Sequence, residues 1–276
     1  PGGGGGLLEG FSIEVTVKGA STIQDFSKIL PPGTSVFIAA LADTSTTDIA
    51  ALCARLKRDG MLPVPHIAAR AVGSAEALEE TVRGYAAAGV EHVLLISGDV
   101  KTPLGPFASA VDVCRTGVFE RHGIKQVDVA GHPEGSASIP DAAGALREKV
   151  EWAEKAGVRM DIVTQVCFDA GTIVEYVASL RGGGIGNAVR VGVAGPVKMS
   201  NLVRLAGTLG LGPSSQLIMS QPGLVAQVAT LNDPSALLSS LGGSKLGEGS
   251  LGEAGVHVYS FGGIELSAAW ASGSPP

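Results

Sequence analysis

The chain alternates short apolar runs with longer segments of helical periodicity. Each apolar run stops at a polar or glycine-rich cluster. The runs with their ends are FSIE (11–14), SVFIAAL (35–41), LPVPH (62–66), HVLLISGD (92–99), VDVAGHPE (127–134), IVTQ (162–165), VRVGVAGP (189–196) and VHVYSF (256–261). A strand followed by a helix, repeated about eight times, is the pattern of an α/β protein with a (β/α)8 TIM barrel. The polar residues that close the strands of such a barrel face one shared mouth, where the active site lies.

The segments between the runs have the apolar spacing of amphipathic helices. In residues 74–89 apolar side chains recur every three to four positions, and Gly89 stands where a helix C-cap belongs. Segments 44–60 and 141–157 show the same periodicity between capping residues and a closing glycine. Region 212–255 departs from this pattern, and we interpret it as extra helices and a flexible loop before the last strand.

The length of the chain suits a single domain. Its 276 residues fit one barrel of typical size, about 250 residues, and 45% of them are hydrophobic. We therefore predict a flexible leader at 1–10 and a catalytic barrel over 11–270. The net charge of −6 argues against a nucleic-acid partner, because a phosphate-binding surface is basic.

Cysteine usage and hydropathy narrow the class of protein further. The three cysteines have no metal-ligand spacing, so we interpret them as buried free thiols in a reducing compartment. No apolar run approaches the ~18 residues of a membrane span, and the glycine-rich start does not resemble a signal peptide. The prediction is a cytoplasmic protein with no metal site and no membrane contact. Assembly of identical subunits stays open.

Two carboxylates stand out among the residues that close the strands. Glu14 lies within an apolar run, and a carboxylate that points into a barrel is costly unless it is paired or protonated. Burial would raise its pKa and make it a usable general acid near neutral pH; the alternative is an exposed Glu at a strand end. Asp99 follows Gly98, which permits close backbone approach to a ligand; the alternative is a turn in which Asp99 caps the next element.

Three further polar residues close other strands. His66 ends the third run, His132 ends the fifth, and Gln165 ends the sixth, where its amide can bind an amide-like ring edge. A packed histidine and a polar loop are the alternatives for His66 and His132. The sequence contains no HExxH zinc motif and no GxGxxG after a strand.

The order of the strand ends is more specific than any one of them. The segments are Ser12-Ile13-Glu14-Val15, Pro65-His66, Ser97-Gly98-Asp99, Phe107-Ala108-Ser109-Ala110, Gly131-His132-Pro133-Glu134, Thr164-Gln165 with Phe168-Asp169, and His257-Val258-Tyr259-Ser260. In this order they resemble the methylenetetrahydrofolate reductase family, a flavin-using (β/α)8 barrel. The resemblance covers roughly residues 11–205 and 256–266.

The resemblance implies an oxidoreductase that reduces 5,10-methylenetetrahydrofolate to 5-methyltetrahydrofolate. NADH or NADPH would supply hydride through FAD to this tetrahydrofolate derivative. By this resemblance Glu14 protonates the folate ring nitrogen, Asp99 stabilises the cationic iminium and tunes the flavin, and Gln165 and Tyr259 bind the substrate. The implied cofactor-binding residues are His66, Ser97, Gly98, Ala108, Ala130, His132 and Lys155, with Arg147 and Lys149 as alternatives to Lys155 for the phosphates.

Several positions depart from the family pattern. Ser97 replaces an Arg, and Leu202 replaces an aromatic residue that would stack on the rings. Losing a charged hydrogen bond costs about 1.5–3 kcal/mol, so two such losses weaken binding ~10²-fold or more. We therefore expect that FAD is held weakly or that hydride passes directly from the nicotinamide.

Two alternatives to the redox function stay open. One is a non-redox, folate-dependent one-carbon or methyl transferase on the same barrel, because a fold does not fix a function. The other is a non-catalytic binding subunit, against which the presence of Glu14, Asp99 and Gln165 argues.

Overall fold

Eight parallel strands close into a barrel in chain order. The computed structural model describes residues 5–136, 139, 141–197, 233–244 and 255–273. The strands are β1 (Ser12–Val15), β2 (Ser35–Ile38), β3 (Leu62–Ala68), β4 (His92–Ile96), β5 (Gln126–Gly131), β6 (Ile162–Thr164), β7 (Val189–Ala194) and β8 (Val256–Tyr259). Each lies within, or within one or two residues of, a predicted run, and β8 pairs with β1. The predicted single-domain (β/α)8 TIM barrel is confirmed.

Helices follow the strands as the periodicity predicts. In the described residues they are α1 (Val17–Ala20), α2 (Thr46–Arg58), α3 (Ala75–Ala87), α4 (Ala110–Cys114), α5 (Val118–Arg121), α6 (Ala142–Ala156), α7 (Ala170–Gly182), α8 (Ser235–Gly242) and α9 (Ile264–Ala271). Ser45, Ser74 and Asp141 each accept a hydrogen bond from the backbone N–H three residues on, which fixes the starts of α2, α3 and α6.

The barrel separates two apolar cores. Side chains alternate along each strand, so every second residue faces the surrounding helices and joins the large outer core. The opposite face fills the barrel interior, where Phe37, Val64, Leu94 and Val163 form a separate buried cluster. This interior plug divides the barrel into a C-terminal mouth, where the strands end, and an N-terminal base, where they begin.

The remaining segments differ from or lie beyond the predictions. Within the predicted leader, Gly5–Leu8 form a 3-10 turn, and Leu7 and Leu8 pack against the outer core. Of region 212–255, only residues 233–244 and 255 are described, and the prediction for the rest, like that for Leu202, lies outside the described residues. The three cysteines are buried and free, as predicted. Among the helices of the described ranges, none has the length and apolarity that a membrane crossing requires.

Candidate functional site

Glu14 lies inside the mouth with two imidazole rings beside it. It occupies an inward position of β1 and pairs in register with Phe37 and Tyr259 on the two neighbouring strands. Its Oε2 atom lies 3.6 Å from Nε2 of His66 and 3.8 Å from Nε2 of His257. The Glu14 side chain is 22% exposed, so it stays reachable from the mouth. We call Glu14, His66 and His257 the mouth triad.

The expectation that burial raises the pKa of Glu14 is wrong in direction. Burial does raise the pKa, but the nearby imidazoles of His257 and His66 outweigh it, so the pKa lies below its ordinary value. Glu14 therefore rests as a carboxylate at neutral pH. The sequence could not show this, because both imidazoles come from other strands.

The two histidines of the triad are themselves deeply buried. His257 is fully buried, and its Nδ1 lies 2.8 Å from the hydroxyl of the equally buried Ser12. His66 is 6% exposed, and burial lowers its pKa to about 4, despite the opposing effect of Glu14. Among the described residues, Nε2 of each ring has no hydrogen-bond partner. Both of these nitrogens face Glu14.

An aromatic surface adjoins the triad. The Tyr259 ring contacts the His257 ring edge-to-face at 4.7 Å and stacks on Phe261, with ring centres 6.0 Å apart. Phe168, Tyr259 and Phe261 are partly exposed and pack over Val166, Ala194 and Val197. We call these three aromatic residues the aromatic wall. A planar ring bound in the mouth could stack on this wall beside Glu14.

The backbone conformation of Phe261 and the absence of a side chain at Gly192 shape the wall. Phe261 has φ +44°, the only positive φ of a non-glycine residue in the described part of the chain. A Cβ on Gly192 would collide with the Thr164 carbonyl oxygen and would lie 2.7 Å from Cε2 of Tyr259. Because that space is empty, Tyr259 crosses β7 and donates a hydrogen bond to the Thr164 carbonyl at 3.0 Å.

Asp99 and Gln165 lie at strand ends, as predicted, but apart from the triad. Asp99 is exposed in the loop after β4, and Gln165 is exposed directly after β6. The Gln165 backbone N–H donates to the Gly131 carbonyl at 2.9 Å, which fixes its position beside β5. Neither side chain forms a hydrogen bond or ion pair with Glu14 in the described structure. Their convergence on one ligand stays a prediction.

The residues implied for a flavin are distributed over several environments. His66, Ser97, Gly98, Ala130 and His132 lie at the neighbouring ends of β3, β4 and β5. However, the imidazole of His66 faces Glu14, and the Ser97 carbonyl accepts a hydrogen bond from the Arg70 N–H at 3.0 Å. Gly98 packs against Ala68. The backbone N–H of Ala108 donates to Asp112 at 3.0 Å, as part of the start of α4.

His132 borders a cavity between α6 and α7. The cavity has a volume of about 320 Å³, and its other lining residues include Ala130, Arg147 and Tyr176. Burial and the nearby Lys149 ammonium lower the pKa of His132 to about 4, so this imidazole is neutral at physiological pH. The cavity is lined by both apolar and polar side chains and is large enough for a small ligand group.

Lys155 lies apart from this group, so its predicted role with the cofactor stays a prediction. It lies on the last turn of α6, at the N-terminal base of the barrel, because α6 runs from the mouth back towards the start of β6. Its side chain is 79% exposed and pairs with Glu151 at 3.7 Å. Of the cations implied for the flavin phosphates, Arg147 lines the cavity beside His132 and Lys149 lies near its imidazole, whereas Lys155 lies at the base and Ser97 carries no charge. Flavin binding by these residues stays a prediction.

Three contributors to the site, Ser12, His257 and Phe261, are not among the residues predicted from the sequence. Ser12 and His257 occur only within the matched strand-end segments. The alternation of side chains along a strand was the available signal: Ser12 and Glu14 share one face of β1, as His257 and Tyr259 share one face of β8.

Comparisons with known proteins add little to this geometry. No protein-family profile matches the chain. One solved structure that aligns with the chain is a dihydropteroate synthase from Thermus thermophilus. The alignment covers 95% of this chain and 91% of the synthase chain, at 12% sequence identity and a TM-score of 0.45. A likeness this weak carries no argument about activity. Within the described residues, no group of three or more His, Cys, Asp or Glu side chains is arranged to hold a metal ion.

Proposed function

We propose that this protein is an enzyme that transfers hydride between a nicotinamide cofactor and the one-carbon unit of a tetrahydrofolate. The observation that carries the proposal is the mouth triad beside the aromatic wall. A titratable carboxylate, reachable from solvent and flanked by two buried imidazoles, adjoins a surface suited to flat rings. This combination matches a reaction that couples proton transfer to hydride transfer between two planar heterocycles.

Glu14 handles the proton in this proposal. For reduction of 5,10-methylenetetrahydrofolate, protonated Glu14 gives its proton to the ring nitrogen, the carbon–nitrogen bond opens, and an iminium ion forms. Hydride from NADH or NADPH then adds to the methylene carbon and gives the methyl product. In the reverse direction hydride leaves the methyl group, the ring closes, and the Glu14 carboxylate takes the proton from the nitrogen.

Other residues bind and orient the reactants in this proposal. Tyr259 and Phe261 stack on the substrate or nicotinamide ring, while Gln165 binds the pterin edge and Asp99 stabilises the positive charge of the iminium. We favour direct transfer from the nicotinamide over a flavin relay, because Ser97 stands where the resemblance implies an Arg and Lys155 lies at the base; of the implied cations, Arg147 lines the cavity beside His132.

One observation favours a second candidate function. The carboxylate form of Glu14 suits proton removal better than proton donation. A folate-dependent one-carbon or methyl transferase on the same barrel could use such a base without any hydride donor. The two candidates share the folate pocket and differ in whether they require a nicotinamide.

The deciding experiment is an NADH and NADPH oxidation assay with 5,10-methylenetetrahydrofolate, run with and without added FAD. The proposal expects oxidation that depends on the folate and needs no added FAD. An absorbance scan of the purified protein accompanies the assay and reports any flavin. Protein that binds folate but leaves both nicotinamides unchanged would contradict hydride transfer and favour the transferase.

A further inference from the structure

We propose that Ser12, acting through His257, favours the carboxylate form of Glu14, the form that accepts the substrate proton. Ser12 is a positioning residue in this scheme, because it contacts neither substrate nor Glu14 directly. The inference rests on the proposed function for its catalytic consequence. Its structural part is the tautomer of His257, which does not depend on the proposed function.

The tautomer follows from three buried atoms. The Ser12 hydroxyl and His257 Nδ1 lie 2.8 Å apart, so one donates to the other. If Nδ1 carried the proton, neutral His257 would direct the lone pair of Nε2 at the Glu14 carboxylate, 3.8 Å away. Two electron-rich atoms would then face each other in a buried site, which is costly. The favourable arrangement has the Ser12 hydroxyl donating to Nδ1 and Nε2–H directed at Glu14.

The surroundings of Glu14 reinforce this assignment. The groups that face it are His66 from β3, His257 and Tyr259 from β8, and the apolar ring of Phe37 from β2. Tyr259 is committed as a donor to the Thr164 carbonyl. The Nε2 atoms of the two imidazoles, 3.6 and 3.8 Å away, are therefore the polar groups left to meet the carboxylate. A proton on Glu14 Oε2 would oppose both of them.

A consequence follows for the reaction. N–H groups directed at Glu14 make the carboxylate the form present at neutral pH, so the side chain is available to accept a proton, although it is a weaker base than an ordinary carboxylate. When it accepts, the nitrogen–hydrogen bond of the folate breaks, an oxygen–hydrogen bond forms on Glu14, and the nitrogen electron pair closes the ring. Oxidised NAD or NADP receives the hydride in that direction. We therefore expect oxidation of methyltetrahydrofolate to be favoured above the pKa of Glu14, and reduction of methylenetetrahydrofolate below it.

The tautomer can be measured without any assay of activity. The chain has five histidines, so protein labelled with ¹⁵N in the imidazole gives few signals, and single His→Gln substitutions assign them. The expected wild-type spectrum shows His257 with a bare Nδ1 and a protonated Nε2. A protonated Nδ1 in the folded wild-type protein would overturn the proposal, whatever the enzyme catalyses.

Variants at two serines separate a specific effect from a general one. Ser12→Ala removes the donor, and we expect mixed His257 tautomers and an upward shift of the Glu14 titration by about one pH unit, the effect of one lost hydrogen bond. Ser12→Thr keeps a hydroxyl and should restore the wild-type spectrum. Ser260→Ala is the matched control, because this buried hydroxyl donates to the Glu14 backbone carbonyl at 2.7 Å rather than to an imidazole.

The two alanine variants distinguish a positioning role of Ser12 from a general effect on the site. A shift in Ser12→Ala that is absent from Ser260→Ala supports the positioning role. Equal shifts in the two variants, or none in either, contradict it. Should Ser12→Ala fail to fold, the wild-type spectrum still decides the tautomer. If the histidine spectra agree but no folate-dependent activity exists, the positioning role stands and the proposed function fails.

Discussion

Both ends of the barrel interior place histidine beside a carboxylate, but the contact is closer at the base than at the mouth. At the base, His92 Nε2 lies 2.8 Å from Asp128 Oδ2, while Gln126 donates to Asp128 at 2.8 Å and to Asp161 at 3.1 Å. At the mouth, the two imidazoles remain 3.6 and 3.8 Å from Glu14. We call His92, Gln126, Asp128, Asp161 and Arg190 the basal network.

The two carboxylates differ in their exposure to solvent and in the closeness of their partners. Asp128 is fully buried; burial raises its pKa, but contacts with His92, Gln126 and Arg190 more than offset this effect. Glu14 has a similar balance of forces but keeps a 22% exposed side chain and loose contacts. A carboxylate with tight partners holds the fold together, whereas one with loose partners can still exchange a proton with a ligand.

The largest expected effect comes from a substitution that disables the mouth triad and leaves the basal network intact. Glu14→Gln keeps the shape of the side chain but removes the group that carries the proton. We expect folate-dependent turnover to fall by about 10²–10⁴-fold, the usual contribution of a general acid or base, with substrate binding largely kept. Steady-state kinetics together with a folate-binding titration check this. Turnover like that of the wild type would remove Glu14 from the mechanism.

The converse substitution disrupts the basal network and leaves the mouth triad intact. Asp128→Ala removes the buried carboxylate that His92 and Gln126 contact, and we expect the free energy of unfolding to fall by about 3–5 kcal/mol. Turnover per folded molecule should stay close to that of the wild type. Urea unfolding and kinetics on the folded fraction measure the two quantities.

A surface pair is the matched control for Asp128. Lys155→Ala removes an exposed pair with Glu151, which should contribute at most about 0.5 kcal/mol to stability. If Asp128→Ala cost no more than Lys155→Ala, the basal network would not be the structural element that the comparison makes it.

The acid sensitivity of the folded protein should depend on His66 of the mouth triad. The pKa of His66 falls from 6.5 to about 4 on folding, because burial disfavours the charged imidazole. Below 6.5 the unfolded chain binds a proton at this position that the folded protein does not, so stability is lost as pH falls towards 4. The full loss amounts to about 3 kcal/mol.

Substitution of His66 tests this origin. His66→Asn should reduce the fall in unfolding free energy between pH 6.5 and about 4, measured by urea unfolding at several pH values, and should leave the share of His132, whose pKa is lowered to the same value. An unchanged slope in this variant would assign the acid sensitivity to other groups.

The smallest predicted effect sharpens the role of the aromatic wall. Gly192→Ala places a methyl group against Tyr259 and the Thr164 carbonyl, and we expect a loss of about 1–3 kcal/mol in stability with weaker binding of planar ligands. Gly186→Ala is the control, because nothing lies within 4 Å of its Cβ position. Equal effects of the two substitutions would show that Tyr259 does not depend on the gap at Gly192.

The sequence predicted some parts of the site and not others. Glu14, His66 and Tyr259 could be named in advance, because each closes an apolar run whose strand character is local. The pKa direction of Glu14 could not, since it depends on an imidazole 243 positions away in the chain. Lys155 lies at the base because α6 runs away from the mouth, so its last turn is the one farthest from the strand ends.

The sequence by itself determined the barrel: the spacing of apolar residues specifies each strand and helix, and strand–helix repeats of this kind close with parallel strands. Only the tertiary structure decided which inward positions meet, because the register between β8 and β1 places His257 opposite Ser12 and Tyr259 opposite Glu14. Protonation then follows from those neighbours, since burial and hydrogen bonding act over a few ångströms in space and not along the chain.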